Sequence, residues 1–100
     1  MRSEPLNLAS ILAAAKSEDR PELLRKHINR FIADLLYSSV EDLPDNDKAF
    51  LEMGLDSITV VKLKDLINQA FSDKIALSSK DILDHPTVNQ LAGYIEALIL

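Results

Sequence analysis

The segment from Gly54 to Ile58 carries the groups best placed to react with another molecule. Asp56 precedes an apolar run, so its carboxylate is predicted to accept a hydrogen bond from an early amide as a helix N-cap. Ser57 then falls in the first helical turn, near free amides and the positive end of the helix dipole, where a phosphate group is stabilised. A phosphodiester on the Ser57 hydroxyl is therefore physically reasonable. A pair that only caps the helix is the common alternative, and the two residues alone do not separate these interpretations.

A hydrolytic role for Ser57 has little support in the sequence. A nucleophile elbow reads Gly-x-Ser-x-Gly on a turn from strand to helix, whereas Thr59 occupies the second position after this serine. His27 and His85 are the only candidate bases. His27 lies beside the apolar face of a predicted helix, and His85 precedes a proline in a predicted turn. We therefore expect no catalytic residues in this chain.

The acidic run Asp45-Asn46-Asp47 superficially resembles the start of a calcium-binding loop. Such a loop needs glycine at its sixth position and glutamate at its twelfth. Counted from Asp45, those positions hold Phe50 and Asp56. The run is interpreted as a solvated acidic loop, and no metal site is predicted.

The length and composition indicate one globular domain. The chain has 100 residues, of which 47% are hydrophobic and 27% charged, and this is the size of a single domain. The net charge of −5 argues against nonspecific nucleic-acid binding, which needs a basic surface. No apolar run approaches the about 20 residues of a membrane span, no signal peptide is recognisable, and cysteine is absent. A cytoplasmic location without membrane contact is the expectation.

Apolar residues at helical spacing predict two long helices in the first three quarters of the chain. The first is predicted from Arg20 to Tyr37, with Asp19 as its cap and Glu22 completing a capping box. The second is predicted from Asp56 or Ser57 to Phe71. The residues predicted for the inner face of this second helix are Val60, Val61, Leu63, Leu66, Ile67 and Ala70.

The last quarter of the chain carries two further helix signals. Ser78 and Asp81 predict a short helix, and Thr87 with Gln90 predicts the capped start of the last helix. Residues 74–77 are the one candidate strand, and it has no partner to pair with. The sequence therefore predicts an all-α fold, a four-helix bundle with three main helices and one short helix.

The domain organisation predicted from these elements has two parts. Residues 1–19 are interpreted as an N-terminal linker or docking segment, and residues 20–100 as the domain itself. Residues 38–55 form a long connection between helices one and two, which is expected to lie against the core. The apolar residues on which this expectation rests are Val40, Leu43, Phe50, Leu51 and Met53.

Two motifs in the chain resemble a known family. The segment Phe50-Leu51-Glu52-Met53-Gly54-Leu55-Asp56-Ser57-Ile58 is similar to the phosphopantetheine attachment motif of carrier domains in polyketide and fatty acid synthesis. Asp84-His85-Pro86-Thr87 resembles the turn that those domains carry before their last helix. The separation of the two motifs and the order of the helices fit the family from Pro21 to Leu98.

The resemblance implies a carrier domain rather than an enzyme. In such a domain Ser57 accepts 4′-phosphopantetheine covalently from coenzyme A, and Asp56 contributes to recognition by the separate phosphopantetheinyl transferase that performs the reaction. The arm ends in a thiol, which holds acyl groups as thioesters. Ketosynthase, acyltransferase and other synthase domains are the implied partners. The isolated domain is expected to be monomeric.

The residues around the serine favour one subclass of carrier. Leu55 before Asp56-Ser57 resembles polyketide carriers, whereas peptide-synthesis carriers more often have glycine there. Lys62 and Lys64 interrupt the acidic pattern that freestanding fatty acid carriers show in their second helix. A modular polyketide synthase is therefore the favoured source. A peptidyl carrier of nonribosomal peptide synthesis and a helical protein-interaction module remain the alternatives.

A surface beside Ser57 is predicted to face partner proteins. Ile58, Lys62 and Asp65 share one helix face by their spacing, and Ile58 either contacts a partner or packs against the loop. Residues 41–57 contain six acidic residues and one lysine, a net charge of −5, which could steer basic docking surfaces. The residues predicted to be partner-facing are Leu55, Ile58, Lys62 and Asp65.

Overall fold

The computed structural model describes residues 7–99, and all regular elements in that range are helices. The α-helices are α1 (Leu8–Ala14), α2 (Arg20–Leu35), α3 (Phe50–Met53), α4 (Ser57–Ala70), α5 (Ser79–Asp84) and α6 (Val88–Ile99), and a 3-10 turn covers Val40–Asp42. The all-α prediction is confirmed. The helix bundle has α2, α4 and α6 as its main members and α5 as the short one, while α1, α3 and the 3-10 turn were not predicted as separate elements. No helix within this range is long and apolar enough to cross a membrane.

The candidate strand at residues 74–77 is not a strand. The side chain of Asn68 receives the Leu77 amide on Oδ1 at 2.9 Å and donates from Nδ2 to the Leu77 carbonyl at 3.0 Å. This side chain therefore satisfies the backbone groups that a neighbouring strand would otherwise bind.

The predicted capping box at the start of α2 is wrong. Asp19 precedes the helix, but its side chain makes no capping hydrogen bond. The amide of Asp19 donates to the Lys16 carbonyl at 2.9 Å, and this turn gives Asp19 helical backbone angles of φ −91° and ψ −15°. An N-cap side chain reaches the first-turn amides from an extended backbone, so the carboxylate of Asp19 is not positioned to cap.

Helix α1 packs on the domain. Asn7 caps it by accepting the Ser10 amide on Oδ1 at 3.2 Å, and Leu8 and Leu12 are fully buried in the common core. The division of the chain at residue 19 stays a prediction, but the core of the domain includes side chains from both sides of that division.

The core lies between α2, α4 and α6. On α4 the buried residues Val60, Leu63 and Ile67 recur at helical spacing, whereas Val61 is 41% exposed because it lies one residue, or about 100°, around the helix from Val60. Its predicted place on the inner face is therefore wrong. In the long connection Phe50 is buried and Leu43 and Met53 pack against the core. Val40 and Leu51 instead face solvent.

Helix α2 runs in the direction opposite to α4 and α6. A cavity of about 350 Å³ is lined by Arg20 at the start of α2, Phe71 after the end of α4 and Ile99 at the end of α6. The start of α2 therefore meets the ends of α4 and α6, so α2 is antiparallel to both. The opposite end of the bundle, called the Ser57 end, contains the end of α2 and the starts of α4 and α6.

Candidate functional site

The turn before α4 depends on Gly54. This residue ends α3 with φ +106°, in the left-handed region, and the amide of Leu55 returns to the Phe50 carbonyl at 3.1 Å. A Cβ at Gly54 would meet no atom within 4 Å. The backbone angle alone, rather than a lack of space, therefore requires glycine here.

Leu55 anchors this turn in the core. Leu55 was predicted to face partner proteins, and the structure corrects that prediction because its side chain is only 1% exposed. Phe50, whose carbonyl receives the Leu55 amide, is 2% exposed. The two buried side chains flank Gly54 and fix the position from which α4 begins.

Asp56 caps α4 as predicted. Its Oδ1 accepts the Thr59 amide at 2.8 Å and the Thr59 hydroxyl at 2.7 Å. The hydrogen bonds from the Thr59 side chain and backbone are the main cause that lowers the pKa of the Asp56 carboxyl below its ordinary value of 3.8. The carboxylate is therefore ionised at neutral pH, and it is hydrogen-bonded to the first turn of α4.

Ser57 is the first residue of α4 and is exposed to solvent. Among the residues described, no partner lies within hydrogen-bonding distance of its hydroxyl. Because Asp56 already receives the first-turn amide, the helix does not need the Ser57 hydroxyl as a cap. The hydroxyl stands open beside the positive end of α4, where an attached phosphate group is electrostatically favoured.

The two histidines are engaged elsewhere. The Nδ1 atom of His85 lies 2.7 Å from the Asp81 carbonyl oxygen, and its ring stacks on Tyr94 with the centroids 4.1 Å apart. His27 is half-buried in α2, and burial, helped by the charge of Lys26, lowers its pKa below 6.5. Neither ring is hydrogen-bonded to Ser57, so the described residues do not form a serine–histidine pair.

The second motif, residues 84–87, is hydrogen-bonded to the segment that leads into the site. The carbonyl of Pro86 accepts the Phe50 amide at 2.8 Å, which ties the turn before α6 to the segment that leads into Ser57. Thr87 accepts the Gln90 amide on Oγ1 at 3.1 Å and so caps α6, as predicted. Among the described residues the Thr87 amide does not bind the Gln90 side chain, so the cap is not a full capping box. The two motifs of the sequence are therefore joined directly in space.

The acidic loop is held by hydrogen bonds that the sequence did not reveal. Asn29 of α2 donates from Nδ2 to Asn46 Oδ1 at 2.8 Å. Asn89 of α6 donates from its amide to the Asn46 carbonyl at 3.1 Å and from Nδ2 to Asp47 Oδ1 at 2.6 Å. Residues 45–47 therefore bind the loop to two helices. The partners lie far apart in the chain, and no local pattern indicates them.

Three of the four residues predicted to face partners are exposed beside Ser57. Ile58 is 65% exposed, and Lys62 and Asp65 are exposed on the same helix. Asp65 Oδ1 lies 3.0 Å from Lys64 Nζ, which partly neutralises its charge. Three further apolar side chains, on α3, α4 and α5, are exposed and were not predicted to be so. They are Leu51, Val61 and Leu83.

Comparison with protein families identifies this arrangement. Residues 27–95 match the family described as "Phosphopantetheine attachment site". The chain is 33% identical over 89 residues to the pikromycin polyketide synthase component PikAII of Streptomyces venezuelae, which covers 89% of this chain and 2% of that protein. It is 37% identical over 79 residues to the mycoketide-CoA synthase of Mycobacterium tuberculosis, with 79% of this chain and 2% of that protein covered. The chain thus spans a very small part of the length of these relatives.

Solved structures give the same assignment. The A1-type ACP domain from module 5 of MLSA1 superposes with a TM-score of 0.78 at 31% identity, over 96% of this chain and 94% of that one. A free-standing peptidyl carrier protein of Acinetobacter baumannii superposes with a TM-score of 0.74 at 24% identity, over 82% of this chain and 99% of that one, which shows a shared fold. The chain therefore belongs to the phosphopantetheine attachment family, and it is an acyl carrier domain with a covalent 4′-phosphopantetheine group, similar to those of modular polyketide synthases.

Proposed function

We propose that the Ser57 hydroxyl is the attachment point of the phosphopantetheine arm. The observation that carries the proposal is the division of roles between two adjacent residues. Asp56 caps α4 through the Thr59 amide, and Ser57 is exposed at the first helical position. A serine that caps the helix would have its oxygen occupied, whereas this hydroxyl is open to an incoming group.

The attachment is a phosphoryl transfer from coenzyme A. The Ser57 oxygen gives up its proton and forms a bond to the phosphorus of the phosphopantetheine half, while the phosphorus–oxygen bond to the nucleotide half breaks. Because neither histidine is hydrogen-bonded to Ser57, the proposal assigns proton removal to a separate phosphopantetheinyl transferase. The chain supplies the hydroxyl, the positive end of α4 and a rigid turn that holds both.

The loaded domain would present acyl groups to synthase domains without catalysing a reaction itself. The arm carries the acyl group as a thioester, so no protein thiol is needed and the absence of cysteine is compatible with this role. Ketosynthase and acyltransferase domains are the proposed partners, and Ile58, Lys62 and Asp65 the proposed contact residues. The domain is proposed to act as a monomer, and its cytoplasmic location remains a prediction from composition.

Mass spectrometry of the intact chain tests the attachment site. The chain is incubated with coenzyme A and a broad-specificity phosphopantetheinyl transferase, and we expect the mass of one phosphopantetheine group to be added. The Ser57→Ala variant should gain none, and its thermal midpoint should match that of the unmodified chain because Asp56 still caps α4.

Ser79→Ala is the matched control. Ser79 is the first residue of α5 and follows a capping serine, Ser78, so it occupies the same helical position as Ser57. This variant should be modified like the wild-type chain. Modification that persists in Ser57→Ala, or that is lost only in Ser79→Ala, would show that Ser57 is not the attachment point.

A further inference from the structure

Tyr37 has an unusual backbone conformation just after the end of α2. Its φ of +54° lies in the left-handed region, and the amide of the next residue, Ser38, donates to the Ala33 carbonyl at 2.9 Å. This bonding pattern ends many helices, and glycine usually occupies the left-handed position. A side chain with a Cβ is held there at a cost in free energy.

The fold gives no reason for a tyrosine at this position. The side chain of Tyr37 is 98% exposed, so its ring has almost no contact with the domain. Two other residues of the described chain, Ser72 and Asp73, also have positive φ. Both are small polar residues of the kind that turns tolerate, and they follow the end of α4 at the opposite end of the bundle.

Tyr37 lies at the Ser57 end of the bundle. Helix α2 is antiparallel to α4 and packs against it, and packed helices have axes about 8–10 Å apart. The end of α2 is therefore a near neighbour of the start of α4. An arm attached to Ser57 therefore leaves the domain at the end of the bundle that also carries Tyr37.

The surroundings of Tyr37 define the chemistry of a partner. A cavity of about 270 Å³ next to it is lined by Ala33, Val40, Ser38 and Ser39 and by the charged residues Arg30, Asp34 and Glu41. Arg30 Nε lies 3.6 Å from Asp34 Oδ1, so the charge of Asp34 is balanced and that of Glu41 is not. Residues 30–42 contain three acidic residues and one basic residue, Arg30, so this surface keeps a net charge of −2. An apolar ring set in an acidic surface is complementary to an apolar socket with a cationic rim.

We propose that Tyr37 is an anchor residue that inserts into such a socket on a catalytic domain acting on the arm-bound acyl group. This inference rests on the proposed function of Ser57. Tyrosine is among the residue types that contribute most to protein interfaces when they fill a pocket on the partner. The ring is retained at a backbone position that favours glycine because the contact with the partner needs it.

Three variants of the full chain test the anchor, namely Tyr37→Gly, Tyr37→Phe and Ser72→Gly. The probe is a ketosynthase domain of a modular polyketide synthase, chosen because it shows saturable transfer with the wild-type carrier bearing its arm. Each variant is first loaded with phosphopantetheine, and its mass is measured to confirm the loading. The thermal midpoint and the KM and kcat of transfer are then measured.

Tyr37→Gly should raise the thermal midpoint by about 2–5 °C and raise the KM at least about tenfold, with a smaller change in kcat. Tyr37→Phe keeps the ring and should hold the KM within about threefold. Ser72→Gly relieves the same backbone angle at the other end of the bundle, so it should raise the thermal midpoint and leave the KM unchanged.

The inference fails if a loaded Tyr37→Gly chain keeps a KM within about twofold of the wild-type value, or if Ser72→Gly raises the KM equally. It also fails if Tyr37→Gly is no more stable than the wild-type chain, because a tyrosine at this positive φ would then cost no free energy. These failures leave the attachment at Ser57 intact. A wild-type chain that takes up no arm would instead remove the proposed function, and this inference with it.

Discussion

The Nε atom of Arg20 donates a hydrogen bond to the carbonyl oxygen of Leu12 over 2.8 Å. This bond joins the last turn of α1 to the first turn of α2. The same carbonyl also accepts the amide of Ala15, the residue after α1, at 3.2 Å. Leu12 is itself buried in the common core. The contact thus ties α1 to the bundle by a hydrogen bond and by apolar packing at the same place.

Removal of residues 1–19 should lower the stability of the domain. Without α1, Phe71 and Ile75, which line the same cavity as Leu12, would be exposed to water. In the full chain, Leu12→Ala should lower the free energy of unfolding by about 2–5 kcal/mol, and Arg20→Met by about 1 kcal/mol. Urea unfolding measures all three changes.

Arg25→Met on the same helix is the control for Arg20→Met, because the Arg25 side chain makes no hydrogen bond to the described residues. A chain that begins at Arg20 and unfolds at the same urea concentration as the full chain would show that α1 adds nothing to stability. The predicted division at residue 19 would then hold.

Gly54 and Gly93 should respond in opposite directions to the same substitution. Gly54→Ala should lower the free energy of unfolding by about 1–2 kcal/mol because φ of +106° strains an alanine. Gly93 lies inside α6, where an added Cβ meets no atom within 4 Å, so Gly93→Ala should raise it by about 0.5–1 kcal/mol. Urea unfolding of the two variants measures the effect, and shifts of the same sign would contradict the role given to the turn.

Gly54→Ala should also slow the attachment of the arm. The turn at Gly54 sets the start of α4 and hence the position of Ser57. The rate of mass increase with coenzyme A and the transferase should therefore fall for Gly54→Ala and stay at the wild-type value for Gly93→Ala. Equal rates for the two variants would show that the transferase tolerates a displaced turn.

The sequence predicted features that depend on neighbouring residues. The start of α4 and its Asp56 cap follow from one short polar side chain before an apolar helical pattern, and both are confirmed. The capping box of α5 is local in the same way: Ser78 and Asp81 each bind the backbone of the other. In such cases the interacting groups lie within one turn, so the sequence contains the whole interaction.

Features that depend on the rest of the fold were not predicted correctly. Leu55 was expected on the surface, yet the turn at Gly54 directs it into the core. The Asp19 cap fails because a preceding turn sets its backbone angles. The contacts of Asn46 involve Asn29 and Asn89, which come from two other helices. A helix as short as α1 is stabilised mainly by packing, so its sequence gave only a weak signal.

Tyr94→Phe should lower the thermal midpoint at neutral pH and lose this effect in strong base. The Tyr94 hydroxyl donates to Asp81 Oδ1 at 3.2 Å, and burial, with the negative charge of Asp81, raises the pKa of Tyr94 above its ordinary value of 10.0. A raised pKa contributes stability that is present below pH 10 and lost as pH rises through the folded-state pKa. Thermal unfolding between pH 7 and pH 11 should show the two chains converging.

Tyr37→Phe is the control for this prediction, because that hydroxyl is fully exposed. Its thermal midpoint should follow the wild-type value across the whole pH range. If Tyr94→Phe keeps the same deficit at every pH, the hydroxyl contributes through packing alone and its ionisation is not linked to folding.

Asp56→Asn should separate the charge of the cap from its hydrogen bond. Asparagine accepts the Thr59 amide as well as aspartate does, but it does not titrate. Hydrogen bonds from Thr59 lower the pKa of Asp56 below 3.8, so the carboxylate contributes stability that is present above that value. This contribution is lost as pH falls through the folded-state pKa. Thermal unfolding from pH 7 to pH 2.5 should show the wild-type chain as the more stable one at pH 7, with the advantage disappearing at the acid end.

The difference between the two chains isolates Asp56, because every other carboxylate titrates in both. Asp56→Ala should lie below both chains at neutral pH, by about 3–8 °C in thermal midpoint, since it removes the hydrogen bond as well as the charge. A constant difference between wild type and Asp56→Asn from pH 7 to pH 2.5 would show that the ionisation of Asp56 is not linked to folding. If Asp56→Asn still accepts the arm at the wild-type rate, the transferase recognises the geometry of the cap and not its charge.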